Sequence, residues 1–177
     1  MAGIYLHIPY CSKACHYCDF HFSTNLKSKQ DMIKAMLAEI SLRQDYLGEE
    51  SIETIYFGGG TPSLLSQNDL AQLIISVGEY FAVVKNPEVT LEANPDDISA
   101  AYLNDLISVG INRISLGTQS FHEPHLVLLN RSHTSKQSPA SLQLIKQAGF
   151  KNYTADLIYG IPSPDHNIWK NDIEQML

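Results

Sequence analysis

All three cysteines of the 177-residue chain fall within eight positions, as Cys11, Cys15 and Cys18 in the stretch CSKACHYC. A disulfide would use two of them and leave one thiol over. The spacing suits a metal site, and zinc bound by three cysteines and a histidine such as His16 or His21 is one possibility. An iron–sulfur cluster is another, although such clusters normally take four cysteines. A cluster with three protein ligands leaves one iron open to a small molecule, which would explain the odd count.

The composition is that of a soluble globular protein. Hydrophobic residues make up 44% and charged residues 18%, and the net charge is −7. An acidic chain lacks the basic face that neutralises phosphates, so nucleic acid is not an expected partner. The segment before Cys11 lacks the basic start of a signal peptide, and residues 70–84 are too few and too polar to span a bilayer. We therefore expect a cytoplasmic protein, in which structural disulfides are rare.

Short β-branched runs alternate with amphipathic segments along the chain. The predicted strands are residues 3–8, 52–57, 88–93, 113–116 and 153–159. The predicted helices are residues 31–47, 70–81, 99–110, 141–148 and 169–177. Ser66 and Asp69 predict a capping box at the start of the second helix. Repeated strand–helix units imply parallel strands, so we expect one α/β domain, either a barrel or a doubly wound sheet.

Polar residues recur on one face of four of the five predicted strands, where alternate side chains share a face. They are Tyr5 and His7; Thr90, Glu92 and Asn94; Ser115, Gly117 and Gln119; and Thr154 and Asp156. Parallel sheets are usually apolar on both faces, and a buried carboxylate without a partner is costly. One explanation is an internal salt-bridge network with Arg113 or Arg131. The recurrence at similar depth favours the other, a polar ligand held near the carboxyl ends of the strands.

The spacing Cys11-x3-Cys15-x2-Cys18, directly after the first predicted strand, resembles the signature of the radical S-adenosylmethionine (SAM) enzymes. Within that superfamily, six stretches resemble the oxygen-independent coproporphyrinogen III oxidase family: YLHIPYC, YFGGGTPS, EANPDD, LGTQSF, LNRSH and DLIYGIP. The resemblance runs from Gly3 to about Pro162. It implies a partial (β/α) radical SAM barrel of parallel strands. Because family members continue further, we expect residues 1–177 to be an incomplete radical SAM core domain, truncated before the barrel closes.

The resemblance also implies cofactors and the residues that hold them. Cys11, Cys15 and Cys18 would bind a [4Fe–4S] cluster whose open iron chelates the amino and carboxylate groups of SAM, and which would pass one electron to it. The residues that match positions around SAM in the family are Tyr5, Gly59, Gly60, Thr61, Glu92, Gln119, Arg131 and Asp156. Strand parity places four of them on the polar face independently: Tyr5, Glu92, Gln119 and Asp156. No acid–base catalyst is assigned, since the cofactors supply the chemistry.

Phe20 distinguishes two branches of the family. The coproporphyrinogen oxidases of porphyrin biosynthesis carry a further cysteine two residues after the motif, where this chain has Phe20. That form resembles the HemW-type branch of heme chaperones, which implies that heme is bound as cargo and delivered to respiratory proteins. A radical SAM enzyme acting on a porphyrinogen and a zinc-stabilised α/β protein are the alternatives. Phe20 counts against the first of these, and the polar strand face and the glycine turn count against the second.

The basic residues near the cysteines are interpreted as surface or loop residues and not as metal or heme ligands. His16 and His21 are interpreted as solvated or hydrogen-bonded loop residues rather than heme ligands. Lys13, Lys27 and Lys29 flank the cysteine loop and are candidate contacts for an acidic electron donor of the flavodoxin or ferredoxin kind. Surface lysines are, however, usually just solvated.

Overall fold

The computed structural model describes residues 2–163 and 165–176, in which five strands alternate with six α-helices. The strands are β1 (Ala2–Ile8), β2 (Ile52–Gly59), β3 (Val83–Ala93), β4 (Arg113–Gln119) and β5 (Asn152–Leu157). The helices are α1 (Lys29–Leu42), α2 (Gln67–Tyr80), α3 (Ala100–Ser108), α4 (Glu123–Leu128), α5 (Gln137–Gln147) and α6 (Asn167–Met176). The α/β class predicted from the alternation of patterns is confirmed.

The strands form one sheet in the order in which they occur along the chain, and every neighbouring pair is parallel. In a doubly wound sheet the strand order instead reverses at a switch point, after which the chain adds strands on the other side. The sequential order is that of a barrel wall, which decides between the two arrangements that the sequence left open. Within the described residues β1 and β5 each pair with one strand only, so the wall is not closed.

The two faces of the sheet differ in polarity, as the strand patterns predict. Leu6, Ile8, Phe57, Leu91 and Leu116 are buried and belong to the hydrophobic core that the sheet forms with the helices. The opposite face of the same strands carries the polar side chains. Because consecutive crossovers add strands in one direction, the helices cover one face and leave the other to line the interior of the barrel wall.

Helix α2 begins with the predicted capping box. The Ser66 hydroxyl accepts a hydrogen bond from the Asp69 backbone N–H at 3.2 Å, and the Asp69 carboxylate accepts one from the Ser66 N–H at 3.1 Å. Helix α1, in contrast, ends at Leu42 and not at residue 47. Residues 43–48 form turns, and Gly48 has a positive φ of 58° that suits glycine.

Other helix boundaries differ from the sequence prediction by a few residues. Helix α5 begins at Gln137, four residues earlier than predicted, because Pro139 is tolerated in a first turn, where its missing N–H costs no hydrogen bond. Helix α4 was not predicted, as its six residues are too few to show a period. The last predicted helix begins at Asn167, and its final residue, Leu177, lies outside the described residues.

The open edge at β5 leaves aromatic surface exposed. Tyr153 is 38% exposed and Tyr159 is 80% exposed. Tyr153 lies in β5 and Tyr159 just beyond it, at the strand that pairs on one side only within the described residues. In the part of the chain that the structure describes, none of the helices has the length and apolar character needed to cross a membrane.

Candidate functional site

The cysteine loop and the polar strand ends surround a cavity of about 220 Å³. The cavity lies where β2, β3, β4 and β5 end, and the carboxyl ends of parallel strands are where barrels of this kind bind ligands. All of the predicted site residues except Tyr5 line it: Cys11, Cys15, Cys18, Gly59, Gly60, Thr61, Glu92, Gln119, Arg131 and Asp156. Residues up to 145 positions apart in sequence therefore meet around one cavity.

The cysteine loop is fixed at its start. The Cys11 backbone N–H donates to the Ser23 carbonyl at 3.1 Å, which closes the loop on itself. Cys11 is buried, while Cys15 and Cys18 are half-buried. Burial raises the pKa of the Cys11 thiol, against a hydrogen bond with Thr61 that lowers it. Formation of the thiolate at Cys11 is thus favoured by the approach of a metal or another positive charge.

Zinc and an iron–sulfur cluster, the two metal sites that the sequence left open, make different demands on the donor set. A tetrahedral zinc ion needs its donors to converge within about 2.3 Å of one point. Among residues 2–163 and 165–176, no three His, Cys, Asp or Glu side chains are grouped to hold a single ion in this way. A [4Fe–4S] cluster makes a different demand, because each cysteine binds a separate iron. Cys11, Cys15 and Cys18 line one cavity, so each could present its sulfur to a separate iron there.

The glycine turn after β2 lets the backbone approach the cysteine loop closely. Gly60 donates to the Ile8 carbonyl at 2.8 Å, and Thr61 donates to the Tyr10 carbonyl at 2.7 Å. A Cβ atom at position 60 would lie 2.6 Å from the Tyr10 carbonyl oxygen and 3.0 Å from the Cys11 Sγ. Gly59 has a φ of 112°, which side chains rarely adopt. Glycine is therefore required here for both conformation and space.

Glu92 is held in the cavity by neutral partners. Its carboxylate accepts from the Tyr56 hydroxyl at 2.8 Å and from the Gly59 N–H at 3.1 Å. Burial raises the pKa of Glu92, whereas these two hydrogen bonds favour the charged form. Arg113, one of the arginines expected as a partner, lies instead 4.0 Å from Glu88, four residues earlier in β3. The carboxylate of Glu92 is thus available to a cationic group of a ligand.

Arg131 follows α4 and points into the same cavity. One terminal nitrogen donates to Asn94 Oδ1 at 2.6 Å and to the Gly117 carbonyl at 2.9 Å. The other donates to the Tyr17 hydroxyl at 3.1 Å and lies 3.5 Å from the Cys15 Sγ. Its Nε is buried and has no hydrogen-bond partner in the described part of the chain. A partly unsatisfied guanidinium suits an anionic group such as a carboxylate.

Gln119 sits where β4 leaves the regular sheet. Its φ is 66°, an uncommon value for a residue other than glycine, and the register with β5 shifts between Leu116 and Gln119. A Cβ atom at Gly117 would lie 2.8 Å from the Gln119 side-chain amide and 3.3 Å from Arg131. The irregular strand end and the small residue together leave room for both polar side chains at the cavity. Strained backbone of this kind is concentrated at functional sites.

Asp156 and Tyr5 lie at the edges of the site. Asp156 lines the cavity from β5 and accepts from the Ser115 hydroxyl at 3.4 Å; it is exposed because the wall is open on that side. Tyr5 does not line the cavity and is 56% exposed. Its ring stacks on Tyr56 at 5.8 Å, and Tyr56 in turn binds Glu92. The structure thus brings Tyr5 next to the site but not into it.

Two residues at the site were not assigned a role from the sequence. Tyr17 lines the cavity and accepts from Arg131, and burial raises its pKa to about 12. The sequence feature that could have indicated Tyr17 is its position, as an aromatic residue between the second and third cysteines. Asn94 was placed on the polar face but given no role, and it accepts the shortest hydrogen bond of Arg131. His16 is hydrogen-bonded to the Leu128 carbonyl at 2.9 Å, in line with the ordinary role expected for it.

His133 supports the strand end that presents Gln119. It is buried, and its Nε2 donates to the Thr118 carbonyl at 3.1 Å, since a carbonyl only accepts. Its Nδ1 is buried without a partner among residues 2–163 and 165–176. Burial, together with the charge of Arg131, lowers the pKa of His133 to about 4. The imidazole is therefore neutral at physiological pH.

Comparison with known proteins agrees with these features. The chain matches the model of the radical SAM superfamily over residues 5–174. It is 38% identical over 173 residues to the heme chaperone HemW of Lactococcus lactis, an alignment that covers 98% of this chain and 45% of that protein. It is 33% identical over 166 residues to an oxygen-independent coproporphyrinogen III oxidase of Bradyrhizobium diazoefficiens, covering 91% of this chain and 36% of that protein.

A solved structure shows the same fold. Coproporphyrinogen III oxidase (HemN) from Escherichia coli, described as a radical SAM enzyme, superposes with a TM-score of 0.88 at 28% sequence identity. The superposition covers 98% of this chain and 40% of that one. The chain thus spans less than half the length of the relatives that it matches.

We predict that His133 makes folding stability fall in mild acid. Below pH 6.5 the unfolded chain takes up a proton that the folded chain resists until about pH 4, so stability is lost as the pH falls through this window. His133→Gln should flatten the pH dependence of the unfolding free energy by up to about 1.4 kcal/mol per pH unit. Urea denaturation at several pH values measures this. The exposed His166→Gln is the control, and equal slopes for wild type and His133→Gln would contradict the prediction.

Proposed function

Because this chain belongs to the radical SAM superfamily, we propose that it binds a [4Fe–4S] cluster and SAM as the core of a HemW-type heme chaperone. The observation that carries the choice of branch is Phe20, at the position where the coproporphyrinogen oxidases have a further cysteine. Phe20 is 71% exposed and lines the cavity beside the cysteines. A cysteine at this place would add a thiol to the rim of the site, and phenylalanine offers an apolar contact instead.

The cluster would be held by Cys11, Cys15 and Cys18. When bound, it supplies one electron to SAM, the reaction for which the superfamily is known. The protein's own part is to hold three thiolates and keep a fourth position open. Arg131 lies 3.5 Å from the Cys15 Sγ and so places a positive charge beside that sulfur.

SAM would be held by the charged and polar groups around the cavity. Glu92 would accept from the ammonium of the methionyl group, and the guanidinium of Arg131 would offer its positive charge to the carboxylate. The backbone of Gly59, Gly60 and Thr61, and the polar side chains of Gln119 and Asp156, line the same cavity and would offer further polar contacts. Tyr5 would act from outside by supporting Tyr56.

Heme is proposed as the cargo, with respiratory proteins as recipients. The support is the similarity to a protein named as a heme chaperone, together with Phe20. Lys13 and Lys27 are proposed contacts for an acidic flavodoxin- or ferredoxin-like electron donor. Of these, Lys13 is exposed and donates to the Arg131 carbonyl at 3.2 Å, so its charge lies beside the cavity. The expectation for Lys29 is corrected, because its ammonium lies 3.5 Å from the Asp69 carboxylate and donates to the Leu64 carbonyl at 2.9 Å.

A coproporphyrinogen III oxidase is the second candidate. It is favoured by the structural superposition on HemN and by the relative from Bradyrhizobium diazoefficiens. Both candidates use the same cluster and SAM sites, so those sites do not separate them. They differ in what happens to the porphyrin. A chaperone binds heme and delivers it, whereas the oxidase oxidatively decarboxylates a porphyrinogen.

We predict that anaerobic reconstitution loads about four irons per chain, the content of one [4Fe–4S] cluster. Replacement of any one of Cys11, Cys15 and Cys18 by Ser should abolish most of the uptake, because each thiolate binds a separate iron. Iron and sulfide analysis with the visible absorption spectrum measures this, and Ser12→Ala is the matched control. Stoichiometric zinc with no iron uptake would refute the cluster.

We predict that Glu92→Gln weakens SAM binding by about tenfold to a hundredfold, the usual worth of a hydrogen bond to a charged group. The substitution keeps the size of the side chain but removes its negative charge. Equilibrium dialysis of SAM against the reconstituted chain measures the affinity. Glu79→Gln, on the exposed face of α2, should leave it unchanged. An unaltered affinity in Glu92→Gln would count against a ligand role.

The two candidate functions are separated by heme titration and an oxidase assay. We expect a protein of the relatives' full length that carries this chain to bind hemin, seen as a shifted Soret band. We expect it not to decarboxylate coproporphyrinogen III under anaerobic, reducing conditions with SAM. Robust decarboxylation would favour the oxidase instead. Failure to bind heme would contradict the chaperone whatever the cluster content.

A further inference from the structure

The cysteine loop is held on a turn that lies more than a hundred residues further along the chain. Residues 128–131, the end of α4 and the turn after it, pack beside the middle of the loop. The His16 backbone N–H donates to the Leu129 carbonyl at 3.1 Å, and the His16 Nδ1 is hydrogen-bonded to the Leu128 carbonyl at 2.9 Å. These contacts fix the residue that follows Cys15.

Asn130 fixes the residue that precedes Cys15. Its side-chain amide donates to the Ala14 carbonyl at 2.6 Å, across 116 positions of sequence. Asn130 has a positive φ of 57°, which asparagine adopts more readily than most residues. The left-handed conformation aims the amide at the loop while the backbone continues to Arg131. The sequence motif LNRSH thus contributes its asparagine as well as its arginine.

Hydrogen bonds consequently hold the residues on both sides of Cys15, and Cys15 in turn holds Cys18. The carbonyl of Ala14 and the N–H of His16 are both bound by residues 128–131, and the Cys18 N–H donates to the Cys15 carbonyl at 3.3 Å. Cys11 is held independently, through the Ser23 carbonyl. Two separate sets of contacts therefore place the three thiols, and Asn130 belongs to the set that places the second and third.

We propose that Asn130 is a positioning residue for the metal site, which sets Cys15 and Cys18 relative to Cys11 before any iron is bound. The inference rests on the proposed cluster for its purpose. The contact itself is made by the chain alone, so it acts on the metal-free protein. Fixing the loop in advance removes the entropy cost of ordering it when the cluster is assembled.

Two variants distinguish the effect of the Asn130 side-chain amide from the effect of its backbone conformation. Asn130→Gly keeps the positive φ without strain but removes the donor. Asn130→Asp keeps the size and tolerates the same φ, but places an acceptor against the Ala14 carbonyl. Asn104→Asp, at an exposed position of α3, is the matched control.

The first measurement is thiol reactivity in the metal-free, reduced chain. Alkylation by iodoacetamide, resolved for each cysteine by peptide mass spectrometry, should become at least about fivefold faster at Cys15 and Cys18 in both Asn130 variants. This is the change that one hydrogen bond of ordinary net strength corresponds to. The rate at Cys11 should not change, and the thermal unfolding midpoint should fall by no more than about 4 °C, the shift that the loss of one such bond causes in a chain of this size. The second measurement is iron uptake, which we expect to fall to less than half of the wild-type content in both variants.

The outcomes that overturn the inference are distinct from those that overturn the function. Wild-type rates and iron content in Asn130→Gly would show that the residue serves only its backbone conformation. A uniform rise at all three cysteines with an unfolding midpoint lowered by more than about 4 °C would show general destabilisation instead. A wild-type chain that takes up no iron would refute the proposed cluster, whatever the thiol rates.

Discussion

The guanidinium of Arg131 is the contact on which the site depends. It binds Asn94 at the end of β3, the Gly117 carbonyl in β4, and Tyr17 and Cys15 in the cysteine loop. These partners are neutral oxygens and a thiol, so the positive charge is hydrogen-bonded but not balanced. A half-buried cation in this state favours the approach of negative charge. The same side chain therefore joins three segments of the site and presents a positive charge in a cavity that Glu92 also lines.

The arrangement of the sheet makes such a site possible. Because the strands lie in sequential order, the helices bury one face, and the other carries Glu92 and Ser115 in one layer and Arg113 with Thr90 in the layer below. The layer around Arg113 is satisfied within the protein by Thr90 and Thr154 at 3.4 Å each. The layer above it, near the carboxyl ends, has polar groups left for a ligand. Polar residues in the layer of Arg113 are thus bonded within the protein, whereas those nearer the carboxyl ends have groups left for a ligand.

The sequence predicted those parts of the site that depend on local periodicity. Strand parity put Glu92 on the inner face, and the spacing of Ser66 and Asp69 predicted the capping box, because both patterns are contained in a few residues. The contacts of Asn130 and Tyr17 were not predicted, since they join segments more than a hundred residues apart and no local pattern encodes them. Helix α1 was predicted too long because the apolar period continues past Leu42, although the backbone turns there.

The distance in sequence between residues 128–131 and the cysteine loop has a consequence for biosynthesis. Contacts that close long loops form late, because ordering the loop costs conformational entropy before the contact stabilises the chain. The first strand and its cysteines leave the ribosome well before the turn that fixes Cys15 exists. During that interval the thiols are exposed to metals without the geometry that would discriminate among them. Loading of the proposed cluster is thereby tied to synthesis of the chain through α4 and the turn that follows it.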